Sequence, residues 1–464
     1  MKAWQLVAAF SAGVFLAGSA SAIDLVEAWR AAQDHDLEFS AARAAHEAGE
    51  TRREQGVALW RPSVSVTGTA GRMSNNTNTS GAQFSAPRFG LSNDVAFNTS
   101  VNGGTAESWA VTARQPLISG ERLARRRQLE TAADLADLQW QAARQSLMLR
   151  TAERYFDLSL AEDALRVLRE QQIAVDRALA EAQERFRLGD VPITDTHEAR
   201  ARSEAVKAQV LAAETDLQLK QIALSDMTGL PPESLHPRMP SPDFAGAPVA
   251  ALERWLDEAA SSNPTLRVKA ATVEVARQEA AKFRAFASPS VDLVAKVGRD
   301  HLSGSGDFGP ANSATSGGMI GVQLTVPVFT GGYRTAERQE ALHLADQAQD
   351  EEALARQRIA LQTRAAWLGC TVGAGRVAAL SATLEASRSR LDATRVGRDV
   401  GERTTLDLLN AQSDVSSAEV NLLQARIAVL TERLRLASLA GVLDEEHLQA
   451  VNAALRVGVS HPNP

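Results

Sequence analysis

The run GSGDFG at 304–309 fits G-x-G-x-x-G, a pattern whose backbone N–H groups can cradle a pyrophosphate. That chemistry needs a strand, a turn and a helix in one unit. Here PANSATSGG follows, so the run reads as a loop. The chain's 8 histidines are scattered, with no H-E-x-x-H and no Cys/His cluster at zinc spacing. His46-Glu47 and His197-Glu198 fall in charged helical stretches and read as solvated faces. Cys370, the only cysteine, has no histidine nearby in sequence and reads as a small buried residue. Acidic residues are plentiful, yet no two are set apart for acid–base work. No catalytic residue, cofactor or metal ligand is expected.

A turn written twice carries more information. Residues 186–195 read FRLGDVPITD and residues 398–407 read RDVGERTTLD. Each has an apolar residue before a glycine, an acid after it, and an aspartate six places after it. Gly189 and Gly401 can adopt the left-handed backbone that ends one helix and starts the next. The arginines and carboxylates around them have the chemistry of directional ion pairs, or simply of solvated charges.

The turns belong to a larger duplication. Gly229 recurs as Gly441, and Pro116 with Gly120 recurs as Pro327 with Gly331, always 211 or 212 residues on. RPSVSVTGTAGR from Arg61 resembles SPSVDLVAKVGR from Ser288. Between the copies LPPESLHPRMPSPDFAGAPVA, 230–250, is proline-rich and aperiodic, as a linker is. The expected organisation is a first repeat at 23–235, a linker at 236–248, a second repeat at 249–450 and a tail at 451–464. In each half a helix, a strand, a polar loop, a strand, a very long helix, a turn and a long helix are expected in that order.

Three-four spacing supports the helices. Leu158, Ala161, Leu165, Leu168, Gln172, Val175, Leu179, Ala182 and Phe186 form one seam; Val377, Leu380, Leu384, Ser387, Leu391 and Thr394 form another. No proline interrupts 117–191 or 328–461. A helix from Gly120 to Leu188 would run on the order of 100 Å. The seams fit extended coiled coils or a plain antiparallel bundle.

Residues 1–22, MKAWQLVAAFSAGVFLAGSASA, have the early lysine, apolar run and Ala-Ser-Ala end of an export signal. A net charge of −7 gives no electrostatic support for a nucleic-acid partner. One cysteine rules out an internal disulfide framework.

Four candidate strands alternate: SVSVTGTAG from Ser63, WAVTARQ from Trp109, VDLVAKVG from Val291 and MIGVQLTV from Met319. One apolar and one polar face suits a membrane barrel and equally a soluble sheet with one wet side. Residues 72–107 and 300–318 read as long polar loops, as on outer-membrane barrels. Four strands cannot close a barrel, and an open edge is not tolerated in lipid.

An exported, duplicated chain with two strands per half, long helices and the turns LGDVPITD and VGERTTLD resembles the TolC family of outer-membrane export ducts. IDLVEAWRAAQDHDLEFSAARAA, at the start of the expected mature chain, resembles the type I secretion branch. The resemblance implies a mixed α+β membrane protein. Four strands per chain would enter a trimeric 12-stranded barrel, and coiled-coil helices would form a periplasmic tunnel. It implies a homotrimer in outer-membrane lipid of a Gram-negative bacterium, with a periplasmic adaptor and an inner-membrane transporter, an ABC transporter first. It places Arg403 and Asp195 as a latch, joined by Arg398 where the best-known member has a tyrosine, and Asp407 with Asn410 at the constriction. Crowding of three Asp407 carboxylates would raise some of their pKa values. Leu188, Gly189, Asp190, Val400, Gly401 and Glu402 would form tips that meet the adaptor. Small-molecule efflux is the alternative cargo. A periplasmic coiled-coil scaffold without a pore is the alternative class, and an extracellular enzyme a distant third.

Overall fold

The computed structural model describes residues 23–456 apart from 89, 245, 247, 286–288 and 308. The expected export signal, 1–22, and residues 457–464 of the expected tail lie outside the described residues. The first half contains α1 (Leu25–His35), α2 (Leu37–Ala58), β1 (Ser63–Ala86), β2 (Gly90–Ser119), α3 (Gly120–Arg187) and α4 (Ile193–Thr228). A 3-10 turn at Pro232–Ser234 and β3 (Met239–Pro240) follow. The second half repeats the order with α5 (Leu252–Ser262), α6 (Pro264–Ala285), β4 (Ser290–Gly306), β5 (Gly309–Thr325), α7 (Tyr333–Asp399) and α8 (Thr405–Leu439), then α9 (Glu445–Ala453) and β6 (Leu455–Arg456).

Each half opens with two helices where one was expected. A buried cap causes each break. The Asp36 carboxylate accepts from the Phe39 N–H at 2.7 Å, and the Asn263 amide oxygen accepts from the Leu266 N–H at 3.0 Å. Both caps also reach a distant helix: Asp36 pairs with Arg150 at 3.0 Å, and Asn263 donates to the Leu439 carbonyl at 2.8 Å.

The chain divides into two compact units. The first comprises residues up to 46, 137–269 and 352 onward. Its main core gathers Leu25, Trp29, Leu147, Phe156, Leu224 and Leu434. Tyr155, fully buried there, fastens the linker. Its hydroxyl donates to the Ile23 carbonyl at 3.0 Å and accepts from the Arg238 N–H at 2.6 Å. Burial pushes this phenol above its ordinary pKa, so it stays a donor. Pro237 bridges Ile23, and β3 pairs with β6, so linker backbone is held between both ends of the described chain.

Small residues at the helix contacts let backbones approach closely. Ala161, Ala178 and Ala182 of α3 are buried, as are Ala199 of α4 and Ala411, Ala418 and Ala425 of α8. The α3 stripe passes through Gln171 and Ala178, one place before the expected Gln172 and Leu179, which are half-buried. Cys370 is buried near Leu266 and Ala366, and burial pushes its thiol up to about 11, which suppresses thiolate chemistry. His46 differs from the solvated residue expected. Its ring stacks on Trp140 at 5.6 Å and lies 3.0 Å from the Asp137 carboxylate.

The second unit, 47–136 and 270–351, carries one antiparallel sheet in the order β1-β2-β4-β5. The expected polar loops at 72–107 and 300–318 are mostly strand. The β1–β2 ladder continues through Asn76↔Ser100, Thr77↔Thr99 and Asn78↔Asn98 almost to its turn, and β4–β5 continues to Gly306↔Gly309. Asn, Ser, Thr and Gly favour turns locally, but here the cross-strand ladder satisfies the backbone. Most residues of these segments are exposed, with Val101 and Leu302 buried among them, so a sustained apolar alternation is not needed. Within GSGDFG, Gly304 to Gly306 end β4 and Gly309 opens β5, so this run does not lead into a helix.

Tyr155→Phe should leave the Ile23 carbonyl without its buried donor and destabilise the fold by about 1–3 kcal/mol. Thermal melting followed by circular dichroism should show the loss; an unchanged melt would contradict the clamp.

Candidate gate turns and membrane-facing sheet

Both repeated turns end a helix in the same way. Gly189 has φ +86° and Gly401 has φ +83°. Past each, an N–H reaches back five residues: Asp190 to the Arg185 carbonyl and Glu402 to the Gly397 carbonyl, both at 2.8 Å. These are left-handed C-caps, which turn the chain without orphaning the last carbonyls.

The starts of the next helices differ. Thr404 caps α8 in a reciprocal box. Its hydroxyl accepts from the Asp407 N–H at 3.1 Å, and the Asp407 carboxylate accepts from the Thr404 N–H at 3.0 Å. The Thr404 N–H first, and then the Thr404 hydroxyl donating to the same carboxylate at 3.0 Å, hold the Asp407 carboxyl below its usual range. In the first turn Pro192 occupies the equivalent place, with neither N–H nor hydroxyl, and no side-chain cap forms. The Asp195 carboxylate therefore has no capping duty; the Thr194 hydroxyl meets it at 3.5 Å, and no cation pairs with it among the described residues. Asp195 instead lines a cleft of about 250 Å³ with Glu198, Thr404, Thr405 and Leu409.

The candidate arginines also divide. Arg398 is anchored within the chain, with Nη1 3.1 Å from Glu181 on α3 and Nη2 3.5 Å from Asp399. Arg403 is exposed and makes no side-chain ion pair among the described residues, so no Arg403–Asp195 bond exists within one chain. Its stem lies over Gly397, where a Cβ would come 2.8 Å from Arg403 Cγ. Asn410 is exposed one turn beyond Asp407. Leu188 and Val400 are 73% and 66% exposed, two bare apolar tips. Glu181 and Gly397 were not singled out in the sequence. Glu181 lies 217 residues from its partner, and Gly397 sits inside a helix without an abnormal backbone angle.

The sheet presents two chemically distinct faces. One carries Asp292, Lys296, Thr112, Arg114 and Gln323, with Asp292 opposite Gln323 and Lys296 opposite Thr112. Arg114 lies 4.0 Å from Asp292 and donates to Gln323 at 3.4 Å. The other face carries Val64, Val66, Gly68 and Ala70 on β1 before Arg72; Ala113, Val111 and Trp109 on β2 before Glu107; Val291, Leu293, Ala295 and Val297 on β4 before Arg299; and Leu324, Val322, Ile320 and Gly318 on β5 before Ser316. Val66, Val322 and Ile320 are 73%, 65% and 75% exposed, although apolar. Phe329 and Tyr333, just past β5, are exposed too, so aromatic residues lie toward both ends of the apolar rows.

Because the folded pKa of Asp407 is lowered, the cap's contribution is present above the ordinary carboxylate range and lost as pH falls through the lowered value. Thr404→Ala should remove it at neutral pH and speed amide exchange over 405–408 roughly fivefold, while 193–196 stay unchanged. Equal rates in wild type and variant would contradict the cap.

The sequence profile of the family described as "Outer membrane efflux protein" matches residues 28–230 and 255–442. The alkaline protease secretion protein AprF of Pseudomonas aeruginosa is 30% identical over 444 residues, 95% of this chain and 89% of that protein. The proteases secretion protein PrtF of Dickeya chrysanthemi is 27% identical over 439 residues, 94% of this chain and 92% of its own length. In fold the chain is similar to the outer membrane protein VceC of Vibrio cholerae, with a TM-score of 0.68, 16% identity and coverage of 90% and 96%. An exposed apolar sheet face, long helical hairpins and a profile spanning both halves agree: this chain belongs to the outer membrane efflux protein family, that of TolC, and is an outer-membrane channel protein rather than an enzyme.

Proposed function

We propose that three copies of this chain close into one 12-stranded barrel and act as the passive exit duct of a tripartite export system. The system we infer is type I protein secretion, with an ABC transporter in the inner membrane and a periplasmic adaptor. The open four-stranded sheet carries the assembly reading. Its outer edges, β1 and β5, have no partner strand among the described residues and run in opposite senses. The β5 edge of one copy can therefore pair antiparallel with β1 of the next. Two copies would give eight strands and a filled interior; twelve is the next multiple of four and leaves a lumen. The cargo reading is supported by AprF and PrtF, both named for protease secretion and both matched over nearly the whole chain. The family description, efflux, favours small molecules as the second reading.

In this assembly repeats 23–235 and 249–450, joined by 236–248, build one duct. Its helical hairpins stand in the periplasm and its strands in the outer membrane. Arg403 and Asp195, each without an ion-pair partner inside the chain, meet between neighbouring coils and latch the closed tip. Arg398, tied to Glu181, steadies α7 against α3 beside that latch. Asp407 and Asn410 line the constriction. There three carboxylates crowd one another, which opposes the lowering by Thr404. Leu188, Gly189, Asp190, Val400, Gly401 and Glu402 form the adaptor contact.

Planar-bilayer recording tests the gate. Arg403→Ser should raise conductance several-fold, and Asp407→Asn should reduce cation preference; unchanged values would remove these assignments. In a strain lacking its own duct but carrying a protease-secreting ABC transporter and adaptor, the chain should restore protease to the medium. Restored drug resistance without protease export would favour the second reading.

A further inference from the structure

We propose that Arg72 and Arg299 form a docking rim for the phosphate-bearing headgroups of outer-leaflet glycolipid. The proposal rests on the barrel reading above. On the outward face the apolar rows of β1 and β4 each end in an arginine, Arg72 beyond Ala70 and Arg299 beyond Val297. Both side chains are exposed and neither forms an ion pair among the described residues. Glu107, on the strand between them, is bonded to neither. Trp109, half-exposed and directly opposite Arg299, has the amphipathic ring that settles at a headgroup boundary.

The rim is one-sided. At the helix-connected ends of the strands the same face runs out through Gln115 and Val326 without a cation. The hairpin-side ends, which face outward in the proposed topology, carry both arginines. Arginine matches phosphate with a planar fork of donors, whereas lysine offers a point charge; the lysine of this sheet, Lys296, lies on the opposite face. Two strand spacings across and four residues along put the two arginine Cα atoms roughly 16 Å apart. One phosphate cannot readily bridge that distance, and a headgroup carrying two phosphates spans it better.

Full-length protein extracted from outer membranes, delipidated and reconstituted, would be titrated with lipopolysaccharide, its dephosphorylated form and phosphatidylglycerol, with retained lipid read by native mass spectrometry. Wild type and Lys296→Gln should retain lipopolysaccharide. Arg72→Gln/Arg299→Gln should retain it roughly tenfold less, and loss of the lipid phosphates should weaken wild-type binding similarly. Equal retention by the double variant, or equal competition by phosphatidylglycerol, would overturn the proposal. Bilayer conductance of the same preparations separates the two readings. No pore in wild type defeats the barrel, whereas pores throughout with unchanged lipid retention defeat only the rim.

Discussion

Every bare N–H or C=O at a strand edge in hydrocarbon costs several kcal/mol, and lipid offers no water to repair it. The sheet of this chain has two such edges, on β1 and β5, and an apolar face whose valines and isoleucine lie open. A single copy can satisfy neither edge, and curling four strands onto themselves leaves no room for side chains. An outer-membrane location therefore demands other copies. The proposed duct follows from that demand: closing the sheet with neighbours makes a lumen, and each neighbour brings its own pair of helical hairpins.

In the proposed duct the helical unit would answer a different requirement, to close at its tip and yet open without unfolding. Its rigid part is well secured. Buried caps at Asp36 and Asn263, the Tyr155 clamp and alanine-lined seams hold the helices along their packed lengths. At the turns the packing thins to exposed charges and two glycines. Such regions open at the low end of a protein's stability range. Polar links there are worth little singly, as the proposed latch requires if an adaptor is to exchange them for its own contacts. The two turns share a reversal but not a helix start. Asp407 is occupied by its own helix, while Pro192 leaves Asp195 without that duty.

Much of this was legible in the residues because the physics is local. The duplicated glycines marked both reversals, unbroken three-four spacing marked the long helices, and alternation at 64–70, 109–113, 291–297 and 320–326 marked strands with one apolar face, though not what that face meets. Features that depend on distant partners were not legible. Asn75–Asn78 and Asn98–Ser100 spell loop until the two segments are laid side by side. His46 looked solvated because nothing nearby in sequence announces Trp140 and Asp137. Nothing near Arg398 in sequence announces its ion-pair partner Glu181, 217 residues away. The split between Pro192 and Thr404 stood in the sequence, but its meaning needed the capping geometry.

The measurement closest to the central claim is the native mass of protein extracted from outer membranes in mild detergent. Three chain masses in one particle, persisting on dilution, are expected if the sheet closes as twelve strands. A lone chain, or a pair that holds an eight-stranded filled barrel, would contradict it.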